Sequence, residues 1–229
     1  MTASPAEGRA SARLRTDAAR NRAQILSAAR SAFLEAGTAV PLEEIARRAG
    51  VNIATLYRRF AGREALIAQV VIEGFGIVLD AARAAVPQAR TDPPAAVEAF
   101  LRAMIDSRDL LVLPLIGGPQ TDAPEARELQ REIATALEEI LAEGRRHNVI
   151  RADVTAVDLI TTAALLCRPL PHLPPEQAAA LTARHVGVFL DGLRPGQSRI
   201  LPPAPSPEEM AGHLHGSRGE TARGQADMA

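Results

Sequence analysis

The sequence predicts an all-α fold, and three observations support this fold class. Apolar residues recur at helical spacing along most of the chain, and few segments alternate apolar and polar residues over the length of a strand. Alanine, the strongest helix former, supplies about a fifth of the 229 residues. Glycine and proline residues fall between the periodic segments, where they end helices. We therefore expect about nine helices, arranged as an N-terminal three-helix head joined to a larger C-terminal helical bundle.

The head begins with a helix predicted over residues 17–36, which ends at Gly37. A short helix is predicted over 42–49, directly after a proline that suits the first helical turn. Asn52 is the expected N-cap of a third helix, which is predicted to end at Phe60. The head therefore contains one long helix followed by two short ones.

The bundle follows from longer apolar periodicities that are separated by prolines. Pro87 and the Pro93–Pro94 pair separate the first two of these helices, and a proline-rich run over 169–175 separates the last two. The predicted helices of the bundle cover 63–86, 95–111, 124–147, 153–167 and 176–193.

The distribution of charge agrees with two domains of different character. The formal net charge is -1, yet residues 1–66 hold 11 arginines and 6 acidic residues, whereas residues 67–229 hold 15 arginines and 21 acidic residues. A basic head is the part in which attraction to phosphate is expected. The predicted organisation is a disordered basic arm (1–16), a basic helical head (17–66), an acidic helical bundle (67–194) and a disordered tail (195–229).

Several classes of protein are excluded by missing residue types. The chain has no lysine, which a Walker loop, a Schiff-base enzyme and a kinase each need. Its one cysteine, Cys167, excludes internal disulfides, zinc ribbons and iron–sulfur clusters. We expect no enzyme activity, no cofactor and no metal. The longest apolar stretch, 65–82, contains two acidic residues and a glutamine, so we expect no membrane span.

The two short helices of the head form the pattern of a helix-turn-helix. About four turn residues, Gly50 among them, separate the helices, and in such a motif the second helix enters the major groove of DNA. A plain helical hairpin with a solvated basic end has the same spacing. Spacing alone leaves both interpretations open.

Residues 20–67 closely resemble the TetR family of bacterial transcriptional regulators, in register and without gaps. Positions of different chemistry agree at once, which makes the resemblance specific. The matching residues are Ile25-Leu26, Ala28-Ala29, Phe33, Glu35, Gly37, Ile45-Ala46, Ala49-Gly50-Val51, Thr55-Leu56-Tyr57-Arg58-Arg59-Phe60 and Arg63-Glu64-Ala65-Leu66. Beyond residue 67 only the size and the all-α pattern are similar to the family.

The resemblance implies a cytoplasmic homodimer that binds a (pseudo)palindromic double-stranded DNA operator and acts as a repressor. It makes residues 17–66 the helix-turn-helix DNA-binding domain and residues 67–194 the ligand-sensing and dimerisation bundle. The residues that it places against base edges are Ile53, Ala54, Tyr57 and Arg58. The residues that it places against phosphates are Thr55, Arg59 and Arg63. The chemistry agrees, since arginine can bind guanine through two hydrogen bonds and small apolar side chains can contact a thymine methyl group. Two departures from the family pattern stand out: Val40-Pro41 replaces a hydroxyl residue that meets a phosphate, and Arg63 replaces a lysine.

The resemblance also implies a dimer interface on the last two helices. The candidate interface residues are Leu159, Ala163, Leu166, Leu181, His185, Val188 and Phe189. These apolar stripes can pack as a four-helix seam with a partner, or they can pack only inside one chain.

A pocket in the bundle would hold an effector that releases the protein from DNA, by default a small apolar or amphipathic molecule. The candidate lining residues are Phe75, Leu79, Phe100, Met104, Ile133, Leu137 and Cys167. Each of them also fits the simpler interpretation of an ordinary core residue, which the sequence favours. An activator or a ligand-independent DNA binder of the same fold remains the alternative function, and an all-α enzyme is the alternative from another class.

Overall fold

A computed structural model describes residues 5–111, 123–170, 172–196 and 201–205, with side chains from residue 17 onward. Every regular element in these ranges is helical, which confirms the all-α prediction. A short 3₁₀ turn covers Arg108–Leu110. The α-helices are α1 (Pro5–Ala36), α2 (Leu42–Arg48), α3 (Ile53–Arg59), α4 (Arg63–Ala89), α5 (Pro93–Asp106), α6 (Pro124–Arg146), α7 (Ala156–Leu166) and α8 (Pro175–Gly192).

The chain divides into two compact units, Met1–Val71 and Ile72–Ala229. The division falls inside α4, a few residues beyond the 66/67 boundary expected from the sequence. In the first unit α1 packs against α2, and α2 packs against α3. The core of this unit is aliphatic with two phenylalanines, and its fully buried side chains include Ile25, Leu26, Ile45, Leu56 and Leu66.

The first helix is longer than expected. Residues 5–16 are helical, whereas the sequence analysis assigned 1–16 to a disordered arm. This segment is rich in alanine and arginine, both strong helix formers, and Pro5 suits a first helical turn. The absence of apolar residues at helical spacing in this segment therefore indicates that it has no apolar face, and it does not indicate disorder. The predicted disordered tail over 195–229 lies outside the described residues, except for 195–196 and 201–205.

The second unit has its core between α5, α6, α7 and α8, and buried side chains from the second half of α4 belong to the same cluster. The helix α5 packs against α6, α7 and α8. Its Phe100 and Met104 are fully buried beside Leu137 and Ile140 of α6 in one cluster of apolar side chains. The hydrophobic core of this unit is thus built around α5.

Two helix ends in this unit differ from the expected ones. The helix α4 continues through Pro87 to Ala89, because a proline in the last turn removes only one backbone hydrogen bond while Ala85 and Ala89 remain buried. The helix α5 begins at Pro93 instead of residue 95, with the Asp92 side chain accepting the backbone N–H of Ala95 at 3.1 Å.

Length and composition alone would allow α4 to cross a membrane, and 44% of its most apolar window is buried inside the fold. The overlapping 65–82 stretch contains two acidic residues and a glutamine, from which no membrane span is expected. Core helices of soluble proteins also pass a test of length and composition, so this feature is weak evidence for a membrane span.

A close contact joins the end of α6 to the segment that follows it. The backbone N–H groups of Val149 and Ile150 both donate to the carbonyl of Gly144, and Asn148 turns the chain with a φ of 52°. A Cβ atom at position 144 would lie 2.4 Å from Cδ1 of Ile150. Only glycine allows this approach without a shift of the isoleucine.

Gly144→Ala should therefore lower the free energy of unfolding by about 1–3 kcal/mol, the usual cost of overpacking. Gly76→Ala is the matched control, since a Cβ there meets nothing within 4 Å and alanine in a helix stabilises by about 0.5–1 kcal/mol. Urea denaturation followed by circular dichroism measures both variants. Equal unfolding midpoints for the two would contradict the packing argument.

Candidate nucleic-acid interface

The two short helices are joined by a tight turn, as the helix-turn-helix pattern predicted. Gly50 occupies the left-handed region with a φ of 67°, and its N–H donates to the carbonyl of Arg47. Asn52 then caps α3, because its side chain accepts the N–H of Ala54 at 2.8 Å. The turn therefore fixes the start of α3 relative to the end of α2.

A single buried residue, Leu56, anchors α3 in the first unit. Phe60, directly after the helix, is also buried. The residues predicted to contact DNA lie around this anchor on the surface: Ala54, Tyr57, Arg58 and Arg59 are exposed, and Ile53 and Thr55 are half-buried. Tyr57 alone exposes 53% of its surface. One face of α3 is thus free to meet another molecule.

The two arginines of this face differ in their contacts. Nη2 of Arg58 donates to Oγ1 of Thr55 at 3.0 Å, so the guanidinium lies along the helix surface. Arg59 makes no hydrogen bond or ion pair with the part of the chain that the structure describes. Both side chains can reach an external anion, and Arg58 must first leave Thr55.

Arg63, the third predicted phosphate contact, lies elsewhere. It is half-buried at the start of α4, and its Nη1 donates to the carbonyl oxygens of Thr38 at 2.6 Å and Val40 at 2.5 Å. The guanidinium folds back onto the loop before α2 because that loop presents two carbonyls to it. Nη1 is thus engaged by the protein's own backbone, and the phosphate contact of Arg63 stays a prediction from the sequence.

An ion-pair network on α2 was also missed by the sequence analysis. Arg47 and Arg48 both donate to Glu44, with the contacts at 2.7 and 2.8 Å, and Arg48 reaches Glu35 of α1 at 2.7 Å. The hydrogen bonds from Arg47 and then Arg48 lower the pKa of Glu44 to about 2. The i,i+3 and i,i+4 spacing of these residues is a signal that the sequence does contain.

Arg22 of α1 makes a further intramolecular contact in the first unit. Its guanidinium carbon lies 5.3 Å from the centre of the Phe60 ring, a cation–π distance. Several arginines of the basic head therefore hold the head together. Fewer guanidinium groups than the sequence counts are therefore without an intramolecular contact, while the net positive charge of the head is unchanged.

The predicted pocket residues all belong to the core of the second unit. Phe75 is partly buried against that core, and the other six are buried within it. Sγ of Cys167 lies 3.3 Å from the carbonyl oxygen of Met104, to which it donates, and burial raises the pKa of this thiol to about 11. Cys167 is therefore a protonated core thiol and a poor nucleophile at neutral pH.

The predicted interface residues divide into two groups. Leu159 and Ala163 are buried inside the protomer, so they cannot serve as interface residues on its surface; this part of the prediction is wrong because their side of α7 faces the core. Leu166, Leu181 and Phe189 are half-buried, and His185 is exposed. Val188 exposes 62% of its surface. Leu165, which is not among the predicted interface residues, exposes 66%.

Among the described residues, no cluster of three or more histidine, cysteine, aspartate or glutamate side chains could hold a metal ion. His213 and His215, two further side chains of a type that can bind metal, lie outside the described residues.

Two family models match the chain. The model described as bacterial regulatory proteins of the tetR family covers residues 25–70, which include α2, α3 and the turn between them. A second model, described as the C-terminal domain of SbtR-like transcriptional regulators, covers residues 92–195. A search of curated proteins returned no match.

Solved structures agree with the family models. A TetR transcription regulatory protein from Mycobacterium vanbaalenii is 32% identical, with 80% of this chain and 99% of that chain covered and a TM-score of 0.53. A TetR transcriptional regulator from Streptomyces coelicolor is 31% identical over 76% of this chain and 98% of its own, with a TM-score of 0.51. A tetR-family protein from Rhodococcus, 21% identical over 77% of this chain and 98% of its own, shares the fold with a TM-score of 0.61. The helix-turn-helix, the all-helical second unit and these matches together show that the chain belongs to the TetR family of bacterial transcriptional regulators.

Proposed function

We propose that this protein is a cytoplasmic, homodimeric repressor that binds a (pseudo)palindromic DNA operator through α3. The observation that carries the proposal is the outward face of α3, where Leu56 is the only buried residue of the helix. A helix held from one side in this way can lie in a major groove, and two copies can occupy successive grooves of a palindrome. The proposed base contacts are Ile53, Ala54, Tyr57 and Arg58, and the proposed phosphate contacts are Thr55 and Arg59.

Binding to DNA from the protein's own promoter region tests the proposal. We expect the logarithm of the affinity to fall linearly with the logarithm of the salt concentration, because arginine–phosphate contacts release counterions. Deletion of the gene should raise expression from a reporter under that promoter. Binding without salt dependence, or no binding, contradicts the DNA-binding proposal; reduced reporter expression would instead indicate an activator.

Arg58→Ala should weaken operator binding by about 1–3 kcal/mol and relax the preference at one base pair of each half-site. The reason is that a guanidinium that leaves Thr55 can bind guanine O6 and N7 together. Titration of the operator and of single-base variants measures both the affinity and the preference.

Arg59→Ala is the matched control, because the neighbouring side chain has the same charge and is proposed to bind phosphate. It should weaken all DNA sequences alike and reduce the salt slope by about 1. If the two variants lose affinity and sequence preference in the same way, the separate roles of Arg58 and Arg59 are wrong.

The dimer proposal is supported by apolar side chains on the last two helices. Leu165 of α7 and Val188 of α8 each expose more than half of their surface, and Leu166, Leu181 and Phe189 of the same two helices are half-buried. Large exposed apolar side chains on neighbouring helices are a common sign of an interface. Analytical ultracentrifugation tests it, and a monomer at micromolar concentration would contradict the proposal.

Release by a small apolar or amphipathic ligand is the proposed regulatory step. The apolar side chains of the second unit, Phe75, Leu79, Phe100, Met104, Ile133, Leu137 and Cys167, are the proposed lining. Such a ligand must bind the released state more tightly than the DNA-bound state, because equal affinity shifts no population. A panel of apolar amphiphiles should therefore contain compounds that raise the unfolding temperature and also release the operator. Compounds that stabilise the protein without releasing DNA would contradict this step.

A further inference from the structure

We propose that Arg63 is a positioning residue that joins the two ends of the helix-turn-helix and so sets the presentation of α3 to DNA. This inference rests on the proposed operator binding and concerns how the head achieves it. The residue lies at the exit of the motif, as the first residue of α4. Its two hydrogen-bond partners lie at the entrance, in the loop that leads into α2.

The geometry of the contact is specific. One nitrogen, Nη1, donates to the carbonyl oxygens of both Thr38 and Val40, at 2.6 and 2.5 Å. No backbone N–H among the described residues donates to either of these carbonyls. The guanidinium therefore supplies the intramolecular hydrogen bonds that this loop would otherwise lack, and hydrogen bonds from a charged donor are stronger than neutral ones.

The loop between α1 and α2 has few contacts of its own that fix its conformation. Gly37 ends α1 in the left-handed region with a φ of 75°, and Pro41 precedes α2 without a side-chain cap. Val40, between them, is buried and anchors the loop by one apolar side chain. The Arg63 contacts hold the carbonyls on both sides of Ala39, so they restrict the backbone directly before α2.

The same Arg63 hydrogen bonds also restrict the backbone at the exit of the motif. Gly62 has a φ of 128°, a conformation that favours glycine, and it leads directly into Arg63. Between the entrance and the exit lie only α2, the turn and α3. A side chain that ties the exit to the entrance therefore limits how far the pair of helices can rotate on the rest of the first unit.

The contact also separates two interpretations of the same positive charge. A phosphate contact at the start of α4 would need the guanidinium to face outward. In this structure Arg63 is half-buried, and its Nη1 donates to two backbone carbonyls of the protein. We expect Arg63→Ala to lower operator affinity about tenfold, which is the size of one lost charge-assisted hydrogen bond. Affinity for nonspecific DNA should stay the same, because the phosphate contacts remain.

The experiment compares wild-type protein, Arg63→Ala, Arg63→Lys and Arg59→Ala in operator and nonspecific DNA titrations over a range of salt. Thermal unfolding of each variant is measured beside them. For Arg63→Ala we expect a lower ratio of operator to nonspecific affinity, an unchanged salt slope and an unfolding temperature lower by about 2–4 °C. For Arg59→Ala we expect a reduced salt slope and an unchanged unfolding temperature.

Arg63→Lys should recover part of the operator affinity, because one nitrogen makes both hydrogen bonds and a shorter lysine ammonium can donate to the same loop. If the alanine variant does not fold, Arg63→Gln takes its place, because its amide can donate to the loop without carrying a charge: the positioning role predicts an unchanged salt slope, and a phosphate contact predicts a reduced one. A salt slope that falls by about 0.9 for each Arg63 removed, with an unchanged unfolding temperature, would overturn the positioning role and assign a phosphate contact. An unchanged ratio of operator to nonspecific affinity in Arg63→Ala would also overturn it. Absence of operator binding by the wild-type protein would instead overturn the proposed function.

Discussion

Replacing Phe100 with alanine should lower the free energy of unfolding of the second unit by about 3–5 kcal/mol. Phe100 lies in the middle of α5, and α5 packs against α6, α7 and α8. Its side chain is the largest fully buried one in the part of the chain that the structure describes. Alanine therefore removes apolar contacts with several helices at once and leaves a cavity that the surrounding helices can fill only in part.

Guanidinium denaturation followed by circular dichroism measures the loss. Phe100→Leu is the control, since it keeps an apolar side chain of intermediate size and should cost less. Because no side chain of α3 changes, the folded variant should keep salt-dependent DNA binding. A Phe100→Ala protein as stable as the wild type would contradict the central place of this residue in the core.

Replacing Leu56 with alanine should lower the free energy of unfolding of the first unit by about 2–5 kcal/mol and abolish operator binding. Leu56 is the only buried residue of α3, so the helix has no second apolar anchor within its own length. The first unit is small, and small units bury a low fraction of their surface and have little stability to lose. The loss of one anchor can therefore unfold the part of the head that meets DNA.

For Leu56→Ala, denaturation should show the loss of stability and operator titration should show the loss of binding. Leu56→Met nearly conserves volume and should cost less than about 1.5 kcal/mol, with operator binding retained. The comparison with Arg58→Ala is informative, because that variant should lose operator affinity at unchanged stability. If Leu56→Ala bound the operator as the wild type does, α3 would not depend on this anchor.

The intramolecular contacts of the arginines affect how strongly DNA binding depends on salt. All 26 basic residues are arginine, so every phosphate contact through a basic side chain is made by a guanidinium. In the head, Arg22, Arg48 and Arg63 already contact a ring, two carboxylates and two carbonyls. The salt slope should thus be smaller than the count of arginines in the head suggests.

Most of the fold could be predicted from the sequence. Helical periodicity, the alanine content and the positions of glycine and proline determined the all-α class and the approximate extent of the helices, because these are local properties of the backbone. The turn at Gly50 and the cap at Asn52 were found for the same reason. The family could be recognised because the matching residues lie in one ungapped segment.

The sequence also misled at particular places. The missing apolar period in residues 5–16 suggested disorder, yet propensity alone supports a helix there. Pro87 suggested a helix end, yet a proline in the last turn costs only one hydrogen bond. In residues 5–16 the apolar periodicity was considered without the helix propensity. At Pro87 the helix-breaking effect of proline was considered without its position in the last turn.

The tertiary structure alone decided which side of each helix is buried and which arginines are occupied. Leu159 and Val188 are both apolar residues on predicted interface stripes, yet one is fully buried and the other largely exposed. Arg59 and Arg63 carry the same charge four residues apart, yet only Arg63 reaches the Thr38 and Val40 carbonyls. Those carbonyls are more than 20 residues away along the chain, and no local pattern of residues encodes their position. Periodicity and propensity act over a few residues, whereas burial and long-range hydrogen bonds depend on how distant segments meet in space.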